Sequence, residues 1–316
     1  MKPWPLLLIV GPTASGKSEL ALRLAARFRG EIVNCDSVQV FKHFDIGTAK
    51  PTPAERLDIP HHLLDFLEPD ALFTAGEYMA AGRKTLADIR DRGNLPVVVG
   101  GTGLYLRALL EGLFKGPQRC EPLRTRFNSR ADRKGIPHLH RLLTRVDPVS
   151  AGKIAANDRP KLIRALEVFF LTARPLSSQF LEGKEELQGF LQIKLGLNPP
   201  RPQLYEAIHQ RVDRMFQQGL VSEVQTILHQ YGPSIKPLQS LGYAQVLQYL
   251  QGKISLEEAM EFTRRATRHY AKRQLTWFRR EKEVCWHQGF GHEPHIAELA
   301  ARQIGQRSEG EREESD

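Results

Sequence analysis

The run Gly11-Pro12-Thr13-Ala14-Ser15-Gly16-Lys17-Ser18 has the spacing G-x-x-x-x-G-K-[ST] and stands between an apolar run and a helical pattern. By its letters this is the ATP-binding motif, and its chemistry is phosphate chemistry. The glycines let the backbone wrap so that successive N–H groups face an anion, and the positive end of the following helix adds to their field. Lys17 can reach the outer phosphate, and the Ser18 hydroxyl can ligate Mg²⁺. A chance match in a chain of this length has odds of roughly one in a hundred from average composition. The loop defines a di- or triphosphate ligand but no reaction. The sequence contains no N-K-x-D for reading guanine.

Two further segments are expected at the same crevice. Asp36 follows the apolar residues 32–35 and opens Asp36-Ser37-Val38-Gln39. Ligands of open parallel sheets bind beyond the carboxyl ends of the strands, which places Asp36 near Lys17. It can serve there as a general base, as a magnesium ligand, or as the N-cap of the next turn. Gly100-Gly101-Thr102-Gly103 follows another apolar run. Its glycines permit close backbone approach and Thr102 offers a hydroxyl to a phosphate, although a plain strand-to-helix turn would look the same. Farther on, Arg264, Arg268, Lys272 and Arg279 fall on one stripe of an ideal helix, with Ala266, Tyr270 and Trp277 on another face. Few acids interleave, whereas a merely solvated helix would mix signs. Cys35 reads as a packing residue, and His61-His62 lacks further partners for a metal.

These residues need elements to hold them. Residues 6–10, 31–35 and 97–99 read as buried parallel strands, and residues 18–28, 75–92 and 103–111 as helices. This βαβ succession predicts an α/β fold, a doubly wound parallel sheet on a P-loop core. From 116 to 188 the character changes to arginine-rich helical segments, with one helix over 160–171. The sheet resumes at 190–197, a helix follows over 202–217, and a long helix covers 255–281. The expected organisation is a first core part at 1–115 and a small, basic, mostly helical insertion domain at 116–188. A second core part with the long basic helix occupies 189–305, and a disordered tail 306–316.

Composition sets the outer bounds. The 316 residues are 41% hydrophobic and 26% charged, which excludes a disordered chain, a collagen-like repeat and a disulfide scaffold. Three cysteines without C-x-x-C spacing suit a reducing cytoplasm. No apolar run approaches the ~20 residues of a membrane span. The excess of 45 Lys+Arg over 36 Asp+Glu favours a polyanionic partner such as nucleic acid.

Read together, the motifs resemble the bacterial tRNA dimethylallyltransferase family. The likeness rests on the phosphate loop and Asp36-Ser37-Val38-Gln39, followed by Asp45-Ile46-Gly47-Thr48-Ala49-Lys50-Pro51 and Pro60-His61-His62-Leu63-Leu64-Asp65. Gly100-Gly101-Thr102-Gly103-Leu104-Tyr105 and Ala271-Lys272-Arg273-Gln274-Leu275-Thr276-Trp277 complete the series, which spans residues 5–290. The resemblance implies transfer of a dimethylallyl group from dimethylallyl diphosphate to the exocyclic amine of the adenosine 3′ of the anticodon, with Mg²⁺ as cofactor. It also implies a partner tRNA held by its anticodon stem-loop, no membrane, and a monomeric enzyme. Asp36 would be the general base, and Thr102 would touch substrate near the reacting centre. Contacts to tRNA would come from Asp36, Ser37, Val38, Gln39, Thr102 and Arg124, and from Pro160, Lys161, Leu162, Ile163 and Arg164. Gln239, Ser240, Leu241, Gly242, Tyr243 and Ala244 would add to them, with Lys272, Arg273, Gln274, Leu275, Thr276, Trp277, Phe278 and Arg279. Two departures stand out: Pro160-Lys161-Leu162 where relatives often carry Gln-Arg-Leu, and Phe41 where Tyr is frequent. Lys161 keeps the charge but lacks the bidentate fork of arginine. Two rival readings are a P-loop kinase acting on a nucleotide or metabolite, and an RNA-binding protein with a nucleotide switch.

Overall fold

A computed structural model of the chain describes residues 2–180 and 183–313, with side chains placed through residue 306. The chain divides into two compact units, Met1–Leu110 with Leu187–Asp316, and Glu111–Glu186. The first unit holds one sheet of six strands: β1 (Trp4–Val10), β2 (Gly30–Asn34), β3 (His61–His62), β4 (Leu95–Val99), β5 (Phe190–Leu197) and β6 (Val284–His287). Their order is β3-β2-β4-β1-β5-β6, and every pairing is parallel. The helices are α1 (Lys17–Phe28), α2 (Ala75–Asp91) and α3 (Gly103–Glu111), then α4 (Glu121–Lys134), α5 (Ile136–Val146), α6 (Pro148–Lys153), α7 (Arg159–Thr172) and α8 (Leu176–Gln179) of the second unit. The first unit resumes with α9 (Arg201–Gln217), α10 (Leu220–Tyr231), α11 (Tyr243–Leu250), α12 (Leu256–Phe278) and α13 (Pro294–Glu313).

The continuous apolar runs are explained by layers on both faces of the sheet. Alternate residues of a strand point to opposite sides. Leu7, Ile9, Ile32, Val97 and Leu195 therefore pack with Leu20 and Leu24 of α1 and Ile296 and Ala300 of α13. Leu6, Leu8, Val33 and Val98 pack on the other side with Tyr78 and Leu86 of α2, Leu109 of α3 and Phe278 of α12. Register then aligns the exits of the three central strands. Ile9 stands beside Val99, and Val99 beside Asn34, so the chain leaves β1, β4 and β2 at one level.

The second unit has a core of its own, built around Phe127, Leu139, Leu143, Leu162, Leu166 and Val168. It begins at Glu111 rather than at the expected 116, because Phe114 packs on that core. Two strands escaped the sequence pattern. β3 is two histidines at the sheet edge, and β6 follows a charged turn. The expected disordered tail begins inside α13, which runs to Glu313; residues 314–316 lie outside the described residues. Ile296, Ala300, Ala301 and Ile304 anchor that helix in the core, and the polar residues after them simply continue it. Among the described residues, no helix is long and apolar enough to cross a membrane.

Candidate active site

The phosphate loop follows β1, and its backbone has the alternation that makes an anion nest. Ala14 (φ 62°) and Gly16 (φ 81°) are left-handed within it. Gly16 is obligatory for a second reason, because a Cβ there would lie 2.8 Å from the Gly291 amide. The Ser15 hydroxyl is 1% exposed and has no partner among the described residues, as a cradle awaiting an oxyanion would leave it. Lys17 Nζ donates to the Pro12 carbonyl at 2.6 Å. Burial pushes its amine down to about 7; neighbouring Arg211 acts the same way, and Asp36 opposes them.

Asp36 leaves β2 at the same level. Its Oδ1 accepts from the Val38 and Gln39 amides at 2.8 and 3.3 Å, which fixes the carboxylate in a turn of its own making. Among the described residues no hydrogen bond holds Oδ2. Thr102, leaving β4, donates its amide to the Cys35 carbonyl and accepts the Ser37 amide on its hydroxyl at 3.1 Å. Asp36 and Thr102 are thereby held as one unit. Cys35 beneath them is 2% exposed, and burial pushes its thiol up to about 12, so it packs and does not react.

Two cavities meet here. One, of ≈ 400 Å³, is lined by Ser15, Gly16, Lys17, Ser18, His61 and Arg214, and the other, of ≈ 320 Å³, by Ser37, Val38, Val212, Met215, Leu241 and Arg273. Thr13, Asp36, Thr48, Arg211 and Tyr270 line both. Sequence reasoning missed Arg211 and Arg214. Both lie on α9, and Arg211 Nη2 donates to the Thr48 carbonyl at 3.0 Å. Burial works against the Arg211 charge, Arg214 adds to that effect, and Asp36 counters it. The available signal was a pair of arginines one turn apart among the buried Ile208, Val212 and Met215.

Other sequence candidates fall into three groups. Gln39, Lys272, Arg273, Thr276 and Arg279 are at least partly open, and Ser240 and Leu241 face the second cavity. Leu162, Ile163, Tyr243, Gln274 and Phe278 are at most 5% exposed and pack inside the protein. Leu162 and Ile163 belong to the core of the second unit, and Tyr243 donates its hydroxyl to Glu223 at 2.6 Å. Half-buried Trp277 lies under the Arg107 guanidinium, 4.5 Å from its ring. The third group is basic but already paired. Arg124 grips the fully buried Glu167 through two bonds of 2.8 and 2.9 Å, and Arg164 adds a third at 2.6 Å. On α12, Arg264 pairs with Asp213 and Glu261, and Arg268 with Glu261. The stripe's counter-acids thus come partly from α9, out of sight of the local sequence. Lys161 is exposed and bonds Asp158 at 2.6 Å, while Phe41 is 7% exposed against Phe44.

A parallel sheet with a phosphate loop after one central strand and a carboxylate after the next, facing two adjoining cavities, defines a P-loop protein equipped for group transfer from a phosphate-bearing donor. The family profile described as IPP transferase matches residues 39–281, and that described as isopentenyl transferase matches residues 5–66. A tRNA dimethylallyltransferase of Solibacter usitatus is 54% identical over 301 residues, covering 95% of this chain and 98% of the relative. One of Koribacter versatilis is 52% identical over 286 residues, covering 90% and 93%. The crystal structure of the tRNA isopentenylpyrophosphate transferase of Bacillus halodurans superposes with a TM-score of 0.71 at 35% identity, covering 98% of this chain and 99% of the other. A eukaryotic dimethylallyltransferase acting on tRNA gives 0.78 at 27% identity, covering 96% and 78%. The chain belongs to the tRNA dimethylallyltransferase family.

Proposed function

We propose that this protein moves a dimethylallyl group from dimethylallyl diphosphate to the exocyclic amine of the adenosine 3′-adjacent to the anticodon in tRNA. The observation that carries this reading is Asp36 on the common wall of two cavities, one floored by the phosphate loop. Lys17, Arg211 and Arg214 give the first cavity the charge a diphosphate needs. Val38, Val212, Met215, Leu241 and Tyr270 give the second a lining suited to a flat base. The kinase alternative has no support among the relatives.

The chemistry needs no hydrolysis of ATP, because the allylic diphosphate carries its own leaving group. As the allylic C–O bond breaks, both electrons depart on the diphosphate. The loop amides, Lys17 and Arg211 stabilise the charge growing there. The adenine nitrogen forms the new C–N bond, and Asp36 Oδ2 accepts the proton that nitrogen releases. A positioned base is commonly worth about 10²–10⁴ in rate. Thr102 holds the Ser37 amide, and through it the Asp36 turn. The Ser18 hydroxyl is a hard oxygen donor beside the loop and suits Mg²⁺. Ser18 would hold the ion together with the diphosphate's own oxygens, where it would offset part of the negative charge. Lys272, Arg273 and Thr276 of α12 and Arg279 just after it are exposed residues suited to the phosphate backbone, with Lys161 on the second unit. Extruding the adenine from its stack costs a few kcal/mol, less in a loop than in a duplex.

The test uses purified protein, Mg²⁺, dimethylallyl diphosphate and unmodified tRNA with adenosine beside the anticodon, without ATP. Nucleosides from the digested product are weighed by mass spectrometry. Prenylated adenosine is the expected result. Tight tRNA binding with adenosine unmodified would refute the transfer reading and favour the switch protein.

A further inference from the structure

Gln274 lies in the segment that resemblance assigns to RNA, yet it is 5% exposed and faces inward. Its side chain spans two loops far apart in sequence. Oε1 accepts the Thr13 amide of the phosphate loop at 2.7 Å, and Nε2 donates to the Gly101 carbonyl at 3.1 Å. Gly101 directly precedes Thr102, which holds the Asp36 turn through Ser37. One carboxamide therefore connects the donor cradle to the loop that positions the base. Gly101 shows how tight the connection is: a Cβ there would fall on Gln274 Nε2. Gly101 is not in a left-handed conformation, so this contact alone demands glycine. A carboxamide can accept from an amide at its oxygen while donating to a carbonyl at its nitrogen, which is the pairing these two loops present.

We infer that Gln274 is a positioning residue that sets the spacing between the diphosphate cradle and the Asp36–Thr102 pair. The inference rests on the proposed transfer reaction for its kinetic consequence, and on the phosphate loop alone for its binding consequence. Release of either loop lets the allylic carbon and the adenine nitrogen drift apart. A misplacement of about 1 Å costs on the order of a hundredfold in rate. Loss of the Thr13 bond also loosens the cradle by one hydrogen bond, worth about 2- to 12-fold in affinity for a diphosphate.

The variants are Q274M, which keeps the volume and loses both bonds, G101A, and the pair G101A with Q274A. In Q274M, kcat should fall at least about thirtyfold with tRNA Kd within twofold of the parent. Affinity for inorganic pyrophosphate, measured by calorimetry, should weaken by about 2- to 12-fold. G101A should reproduce the loss in kcat, but in the Q274A background it should add less than about twofold, since the truncated side chain leaves room for the methyl. A residue that only fills space would be rescued by methionine, so normal turnover of folded Q274M overturns the inference. Multiplicative losses in the double variant overturn it as well. If the parent protein itself transfers no prenyl group, the function proposed above fails, and equal pyrophosphate affinity in parent and Q274M then rejects the brace independently.

Discussion

Titrating donor binding between pH 6 and 9 isolates what Lys17 contributes. Burial of its amine beside Arg211 holds it at about 7 while the cradle is free of anions. A bound diphosphate supplies the missing negative charge and returns the amine toward its ordinary value of about 10.4. The sign follows from linkage: the complex binds more protons than the free protein, so affinity falls as pH rises above 7. At pH 8 the free amine is about 10% protonated and the bound one nearly fully so, giving an uptake of about 0.9 proton; at pH 6 the uptake is only about 0.1. Between pH 7 and 9 the affinity should drop by about fiftyfold. The ligand of choice is dimethylallyl diphosphate without tRNA, since the last ionisation of a phosphate ester has its midpoint near pH 6 and is nearly complete by pH 8. Calorimetry at pH 8 in two buffers of different ionisation heat gives the proton count directly. No proton uptake together with a flat affinity from pH 7 to 9 would show that the free loop keeps Lys17 charged, and would refute the burial argument.

Replacing Asp36 by Asn should leave tRNA affinity nearly intact while single-turnover transfer falls at least about a hundredfold; normal transfer would remove Asp36 as the base. Glu167→Ala should cost about 3–5 kcal/mol in urea unfolding, because Arg124 and Arg164 lose their shared buried acceptor. Burial alone would raise the Glu167 pKa, but bonds from Arg124, Arg164 and the Cys120 amide hold it down to about 2. Its stabilising contribution is therefore complete above the unfolded carboxylate range, near pH 4.5, and is lost as pH falls toward 2; stability unchanged across that window would contradict the network. Replacing Lys272 and Arg279 by Ala should lower the slope of log K for tRNA against log salt by roughly one to two units. Arg264→Ala should instead lower thermal stability, because its guanidinium is engaged with Asp213 and Glu261; a salt slope reduced as much as in the other pair would contradict that assignment.

The sequence by itself determined the parts governed by near neighbours. Apolar runs marked β1, β2 and β4 because central parallel strands are buried on both faces, and residues 190–197 read as the sheet's return. The glycine and lysine spacing marked the phosphate loop, and strand ends followed by Asp36 and by Gly100-Gly101-Thr102 marked the crevice, because parallel strands deliver their carboxyl ends to one edge. The long helix expected from residue 255 is α12, and the structure shows Ser255 as its N-cap, its side chain accepting the Glu258 amide. Everything that depended on a partner far along the chain was decided by tertiary structure alone. Gln274 looked like part of a basic RNA-facing helix until the fold brought Thr13 and Gly101 to its two ends. Arg124 and Arg164 looked free until Glu167 was found between them, and Arg264 until Asp213 was. Arg211 gave no motif, yet packing turns it onto the wall shared by both cavities. Periodicity records which face of an element is buried, whereas the identity of the group waiting on that face is settled only when distant segments pack.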